Sequence, residues 1–261
     1  MNTERESKLN NLLSTQPSGI VLSSAWLTEY GYSLDLQKQY KKSQWFDSIG
    51  TGALIRHGDQ VDYLGGIYAL QSQLGLLVHP AAKTALALQG KAHYLQLSAK
   101  RVQLFGGKDE SLPLWFKKRD WGLNVESKMT SFLPPELGLV EIDHKSFKVK
   151  ISSPARAVME CLYLAPNSQP LMEVFELMEG LNNLRPTTVQ KLLECCTSVK
   201  VKRLFLYLAD KAGHEWLNYL DLDKVDLGSG KRALVSDGVY VAKYQITVPK
   251  ALDSINGPET A

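Results

Sequence analysis

Ser23-Ser24-Ala25-Trp26-Leu27-Thr28-Glu29-Tyr30-Gly31-Tyr32-Ser33-Leu34-Asp35-Leu36-Gln37-Lys38-Gln39-Tyr40-Lys41-Lys42-Ser43 reads as two short helices about a glycine turn. Ser23 or Ser24 is a suitable cap for the first helix, whose Trp26 and Leu27 point inward. Gly31-Tyr32-Ser33 turns the chain into a second helix over 34–43. Beyond it, Ile49-Gly50-Thr51-Gly52-Ala53-Leu54-Ile55-Arg56 and a His57-Gly58-Asp59 turn read as a β-wing with Arg56 and His57 at its tip. This order is that of a winged helix-turn-helix, a module that places its second helix in the major groove of duplex DNA.

Helical spacing sets 34, 37, 38 and 41 on one face of the second helix and Leu36 and Tyr40 on another. Leu36 and Tyr40 are then free to pack on Trp26, Leu27 and Ile49, which leaves Gln37, Lys38 and Lys41 for the groove. Glutamine bonds adenine edges bidentately, and lysine reaches guanine or phosphate. Lys42 extends the same basic end. Ser33 and the first-turn amides suit a backbone phosphate, and Arg56 and His57 suit phosphate or minor-groove contact. A lysine face taken alone is more often just solvated, and Asp35 opposes phosphate. The preceding helix, the turn and the wing are what favour DNA.

Composition limits the argument. The 261 residues carry 30 Lys and Arg against 27 Asp and Glu, a formal charge of +3. Contact with nucleic acid must therefore rest on a local patch. A length of 261 residues suits two domains, and the texture changes near residue 92. We expect an α+β chain, with a winged helix-turn-helix over 1–92 and a larger, helix-rich mixed domain over 93–261. Helices fit 5–13, 62–74 and 81–88 in the first half, and 153 onward, 171–178, 187–195 and 202–212 in the second. Short extended pieces fit 93–97, 101–105, 232–235 and 244–248. A hairpin joins 139–143 to 147–151, and the tail at 257–259 is expected to fray.

Three cysteines, Cys161, Cys195 and Cys196, show no metal-ligand spacing and read as reduced, buried thiols. The polar N-terminus lacks a signal-peptide core, and no apolar run approaches the ~20 residues of a membrane span. A soluble, cytoplasmic protein without metal or cofactor is expected. Gly228-Ser229-Gly230-Lys231-Arg232 is not a Walker A loop, since Arg232 stands where Ser or Thr is required. It reads as a basic turn in which Lys231 and Arg232 could meet an acidic partner or DNA. Lys200, Lys202 and Arg203 form a second basic cluster, of which Lys202 and Arg203 are candidate contacts. Lys117-Lys118-Arg119 lies among Trp115, Phe116 and Trp121; basic residues interleaved with aromatics can contact nucleic acid, but an amphipathic helix with its charges in water is the commoner case. No hydrolase, zincin or nucleotidyltransferase pattern is present, so nothing argues for an enzyme.

Four groups of residues carry a resemblance to a known family. The first runs from Gly31 and Ser33 through Tyr40, Ser43 and Trp45 to Ile49-Gly50, Gly52 and Arg56. The second runs from Gly66 and Tyr68-Ala69-Leu70-Gln71 through Gln73-Leu74-Gly75, His79, Thr84-Ala85-Leu86 and Leu88-Gln89-Gly90 to His93-Tyr94-Leu95. The third is Ser153-Pro154, Arg156 and Ala157. The last comprises Val201-Lys202-Arg203-Leu204-Phe205, Asp226-Leu227-Gly228-Ser229-Gly230-Lys231-Arg232, Tyr244 and Ile246-Thr247-Val248-Pro249. On these the chain resembles, over about residues 5–250, the AbiEi-type antitoxins of bacterial type IV toxin–antitoxin systems.

That resemblance implies an N-terminal winged helix-turn-helix that binds inverted repeats in its own promoter and represses the operon. It implies a C-terminal domain that neutralises a cognate nucleotidyltransferase-like toxin, with or without a stable complex, and that assists DNA binding. The family pattern has glycine after the serine matching Ser43. This chain has Gln44, which implies a differently shaped end to the recognition helix. An alternative reading keeps the DNA-binding module and makes the chain a stand-alone regulator whose second domain senses a ligand.

Overall fold

Leu9 and Leu12, one helical turn apart, form the buried face of α1 (Asn2–Thr15), the support helix of the first half. The structure is a computed structural model that describes residues 2–91, 101–233, 235 and 237–254. β1 (Leu22–Ser23) leads into α2 (Ser24–Glu29) and α3 (Leu34–Lys42), and β2 (Phe46–Gly50) and β3 (Ala53–Arg56) form an antiparallel hairpin. β1 pairs with β3, giving a sheet of order β1-β3-β2. The short strand β1 is completed by a side chain. The Gln73 carboxamide accepts from the Ser23 N–H (2.7 Å) and donates to the Val21 carbonyl (2.9 Å), in place of another strand.

α4 (Tyr63–Tyr68) is capped by Asp62, whose carboxylate accepts from the Leu64 and Gly65 amides, and runs on into a π-turn over Ala69–Gln73. β4 (His79–Pro80) and α5 (Ala82–Leu88) follow. The strand expected over 93–97 lies outside the described residues, as does the tail at 257–259. β5 (Arg101–Gly106) sits between β4, antiparallel, and β6 (Asn124–Met129), parallel, with α6 (Leu114–Lys118) in the crossover. β7 (Leu139–His144) and β8 (Phe147–Ser152) form the expected hairpin.

Helices then dominate. α7 (Pro154–Leu164) opens with proline at its first position, where no backbone N–H is needed. α8 (Leu171–Glu179), α9 (Pro186–Cys195) and α10 (Val199–Lys211) complete a helical layer around α7. A last sheet joins β9 (Arg232–Ala233), β10 (Gly238–Val241) and β11 (Ile246–Pro249) in the order β10-β11-β9, before the short α11 (Lys250–Asp253). The class is α+β, and a single apolar cluster runs from Leu9 to Leu252.

The two halves of the chain are interlocked. α5 packs on α7, and β4 pairs with β5. The Asp62 carboxylate accepts from His144 Nε2 (2.8 Å) and Lys145 Nζ (2.9 Å) in the β7–β8 turn. Gln71 exchanges two 2.9 Å bonds with the Lys150 backbone. Beneath these lies a fully buried ionic cluster. Glu160 accepts from Arg156 Nε (2.8 Å), the Ser152 hydroxyl (2.7 Å) and the Ala82 N–H (2.9 Å), with His79 Nε2 at 3.3 Å.

Among the described residues no helix is long and apolar enough to cross a membrane. Cys161 and Cys196 are buried, and burial pushes both thiols upward, the condition of inert cysteines. Cys195 departs from the expectation: it ends α9 on the outer face and is exposed.

Candidate nucleic-acid interface

α3 starts where Ser33 caps it, its hydroxyl accepting from the Leu36 N–H at 3.3 Å. Its buried face is Leu36, Gln37 and Tyr40. Tyr40 meets Phe46 with ring centroids 5.8 Å apart, which docks the helix on the hairpin. Leu34, Lys38, Lys41 and Lys42 face outward. Lys38 lies 3.1 Å from Asp35 one turn earlier, with both side chains in solvent, a pair that phosphate can displace at little cost.

Gln37 is corrected by the structure. It is 3% exposed, and its amide nitrogen lies within hydrogen-bond distance of the Ser24 carbonyl (3.2 Å), the Thr28 hydroxyl (3.1 Å) and the Tyr32 carbonyl (2.8 Å). The side chain fastens α2 to α3, and base reading is not open to it. The two faces of α3 are thus turned slightly from the sequence expectation, because position 37 finds its acceptors on the preceding helix and turn.

The hairpin tip is also relocated. Gly50 faces Ala53 across the ladder, so the tip is Thr51-Gly52, and Gly52 takes φ +86°, a left-handed conformation that glycine adopts without a steric penalty. Arg56 and His57 lie at the other end of the hairpin. Arg56 Nη2 donates to the Leu13 carbonyl (2.8 Å) and the Gln16 carbonyl, tying β3 to the end of α1. His57 Nδ1 is 3.0 Å from the Asp47 carboxylate at the hairpin base. Neither stands at the tip. The sequence signal for the true tip was Gly50-Thr51-Gly52 between apolar residues. That tip borders a groove whose other wall is Leu34, Lys38 and Lys41.

The end of α3 keeps the glycine-type geometry. Gln44 takes φ +57°; its N–H donates to the Lys41 carbonyl (3.1 Å), and the Trp45 N–H to the Tyr40 carbonyl (3.0 Å). These are the two bonds of a Schellman turn. The departure from the family's glycine therefore does not reshape the helix end and instead strains it. A left-handed non-glycine residue costs roughly 1–2 kcal/mol, partly offset by the extra freedom of an unfolded glycine. Gln44→Gly should raise stability by about 0.5–1 kcal/mol with the denaturant m-value unchanged; a lower urea midpoint would refute the strain.

In the second half the four candidate cations divide. Lys202 and Arg203 are buried, at 3% and 1% exposure. Arg203 donates to the carbonyls of Leu227 (2.8 Å), Gly228 (3.0 Å), Gly230 (2.7 Å) and Gln245 (3.0 Å), so it clamps the 227–230 loop and β11 to α10. These two residues are therefore structural, since partner contact requires exposure. Lys200 is half-buried against the Tyr163 and Ala165 carbonyls (3.0 and 2.6 Å), and burial lowers its ammonium pKa. Lys231 and Arg232 remain exposed, with Lys231 Nζ 4.9 Å from the Tyr240 ring centroid.

Two family models match this arrangement end to end. Residues 5–97 match the N-terminal domain described as "Transcriptional regulator, AbiEi antitoxin N-terminal domain". Residues 99–249 match "Transcriptional regulator, AbiEi antitoxin, Type IV TA system". The chain belongs to the AbiEi antitoxin family. Its regulators are described as type IV antitoxins, a description that names no catalysis. No curated protein matches the chain. Among solved structures, the RV2827C protein from Mycobacterium tuberculosis is similar at TM-score 0.55 with 14% identity, over 94% of this chain and 90% of that one. At that identity the likeness concerns the fold alone, and it extends over both halves of this AbiEi chain.

Proposed function

We propose that this AbiEi-family chain binds duplex DNA at inverted repeats in its own promoter, represses that operon, and neutralises a nucleotidyltransferase-like toxin encoded with it. DNA recognition belongs to residues 1–92, where α3 enters the major groove and the Thr51-Gly52 tip lies alongside it. Ser33, Lys38, Lys41 and Lys42 are its contacts. Neutralisation belongs to residues 93–261, with Lys231 and Arg232 as exposed cations for an acidic partner or for DNA.

The observation that carries the DNA reading is the outward face of α3. Lys38 and Lys41 stand exposed beside the hairpin tip, while Leu36, Gln37 and Tyr40 hold the other face down. A helix fixed on one side, basic on the other and flanked by a hairpin fits the major groove. Lys38→Ala and Lys41→Ala should each weaken binding to the promoter duplex. Each should also reduce the slope of log affinity against log salt by about 0.9 for every phosphate no longer neutralised. Parental affinity and slope in both variants, in a salt-titrated shift assay, would remove the groove assignment.

A further inference from the structure

Leu34 opens α3 and departs from the pattern of the other apolar residues in that helix. Leu36 packs against the core and Tyr40 is buried, whereas the Leu34 residue is 58% exposed. The helix does not call for leucine there. Ser33 supplies the cap, and the first turn is helped by an acid such as Asp35, not by an apolar side chain. Single exposed leucines are common on protein surfaces, so exposure by itself carries no meaning. What distinguishes Leu34 is where it stands.

Leu34 lines a groove of about 380 Å³ between α3 and the β2–β3 hairpin, with Lys38 and Lys41 about one and two turns further along the same wall. Gly50, Thr51 and Gly52 form the facing wall. A β-carbon added at Gly52 would meet no atom of the described residues within 4 Å, so the tip leaves the groove open. Gln37 is committed to Ser24, Thr28 and Tyr32 and has no amide to offer a base. Lys38 and Lys41 are point charges, suited to phosphate or to guanine. Selective contact with any other base from this wall then falls to the leucine at the start of the helix. In helix-turn-helix docking, the first residues of the second helix are the ones that meet base edges.

We propose that Leu34 determines base specificity by packing on the C5-methyl group of a thymine in the major groove. The inference rests on the reading that α3 enters the major groove of the promoter duplex, and it adds the base that the helix reads. The thymine methyl is the one apolar group that the base edges present there, so it is the matching surface for an isobutyl side chain. The contact removes apolar area of both partners from water and neutralises no phosphate. Its contribution is therefore selective for sequence and insensitive to salt, the reverse of what Lys38 and Lys41 contribute.

The test uses the full chain and promoter duplexes in which thymines are replaced one at a time by deoxyuridine, which pairs alike but lacks the methyl. At one position in each half-site the parent should lose about four-fold in affinity, the factor expected for burying one methyl. Leu34→Ala should bind the unmodified promoter about ten-fold more weakly, keep the parental salt slope and bind random duplex like the parent. At the sensitive position the deoxyuridine substitution should cost Leu34→Ala nothing further, which identifies the methyl as the partner of this side chain. The proposal is overturned if no single deoxyuridine weakens the parent, if Leu34→Ala binds the promoter like the parent, or if the variant keeps the full four-fold cost. Should Lys38→Ala and Lys41→Ala lower affinity and salt slope in the same series, only the Leu34 assignment falls. Should they too be parental, the groove reading falls with it.

Discussion

Glu160→Ala should destabilise the protein by about 3–5 kcal/mol, because it leaves the buried Arg156 guanidinium without its carboxylate. Both side chains are shut off from solvent, and Glu160 also accepts from Ser152 and from the Ala82 N–H. The Ala82 bond matters in its own right. Ala82 sits at φ +48°, a left-handed conformation that alanine adopts only when its surroundings impose it. Without the carboxylate, the start of α5 loses the acceptor at that strained residue. Arg156 still holds the Pro134, Pro135 and Leu137 carbonyls, so the loss should centre on the junction of α5, β8 and α7. Urea unfolding measures the difference, and a stability within about 0.5 kcal/mol of the parent would show that the cluster does not stabilise the fold.

A pH series separates charge from packing. Burial pushes the Glu160 pKa up, but the His79 hydrogen bond, the Arg156 and His79 charges and the Ser152 hydroxyl outweigh it, and the net shift is downward. A carboxyl whose folded pKa lies below its unfolded value stabilises the fold fully above the unfolded value, about 4.3. That contribution disappears as pH falls through the lower, folded value. The gap between the parent and Glu160→Gln should therefore be widest near neutrality and narrow in acid below about pH 4. A gap that stays constant with pH would assign the effect to shape.

The elements built on apolar periodicity were legible from residues alone. Leu36 with Tyr40, the helices from α7 to α10, and the β7–β8 hairpin all follow from side chains that must leave water. β6 was not legible. Its Asn124–Met129 run is polar and mostly outward, because it is an edge strand held by backbone pairing to β5. The polar residues of the candidate site failed for a related reason. Gln37, Arg56, Lys202 and Arg203 look like free surface groups in a linear sequence. Whether they are depends on where other segments bring their carbonyls or close over them. Gln37 meets Ser24 and Tyr32, Arg56 meets Leu13 and Gln16, and Arg203 meets a loop more than 20 residues away. Lys38 and Lys41 escape this ambiguity, since they stand on the outer face of α3, away from the carbonyls that capture Gln37.

Arg203→Met should cost about 4 kcal/mol, although methionine suits the apolar surroundings of α10. Hydrogen bonds to a charged donor contribute about 1.5–3 kcal/mol each, and four carbonyls share this one guanidinium, so the sum is not additive. Among the described residues no carboxylate lies within ion-pair distance of Arg203; carbonyl dipoles alone balance it. Removing the cation therefore strands acceptors without leaving an opposite charge behind, which places the loss below that of a broken guanidinium–carboxylate fork with equal bonds. Arg203→Lys should recover little of it. A single ammonium cannot span the Leu227, Gly228, Gly230 and Gln245 oxygens that the planar fork reaches together. Two stretches that carry the family likeness, Val201–Phe205 and Asp226–Arg232, thus meet through one side chain, with the chain at Gln245 as the third party. If Arg203→Lys unfolds at the parental urea concentration, a point charge suffices there and the fork geometry is immaterial. If it unfolds with Arg203→Met, docking of the last sheet onto α10 depends on all four bonds.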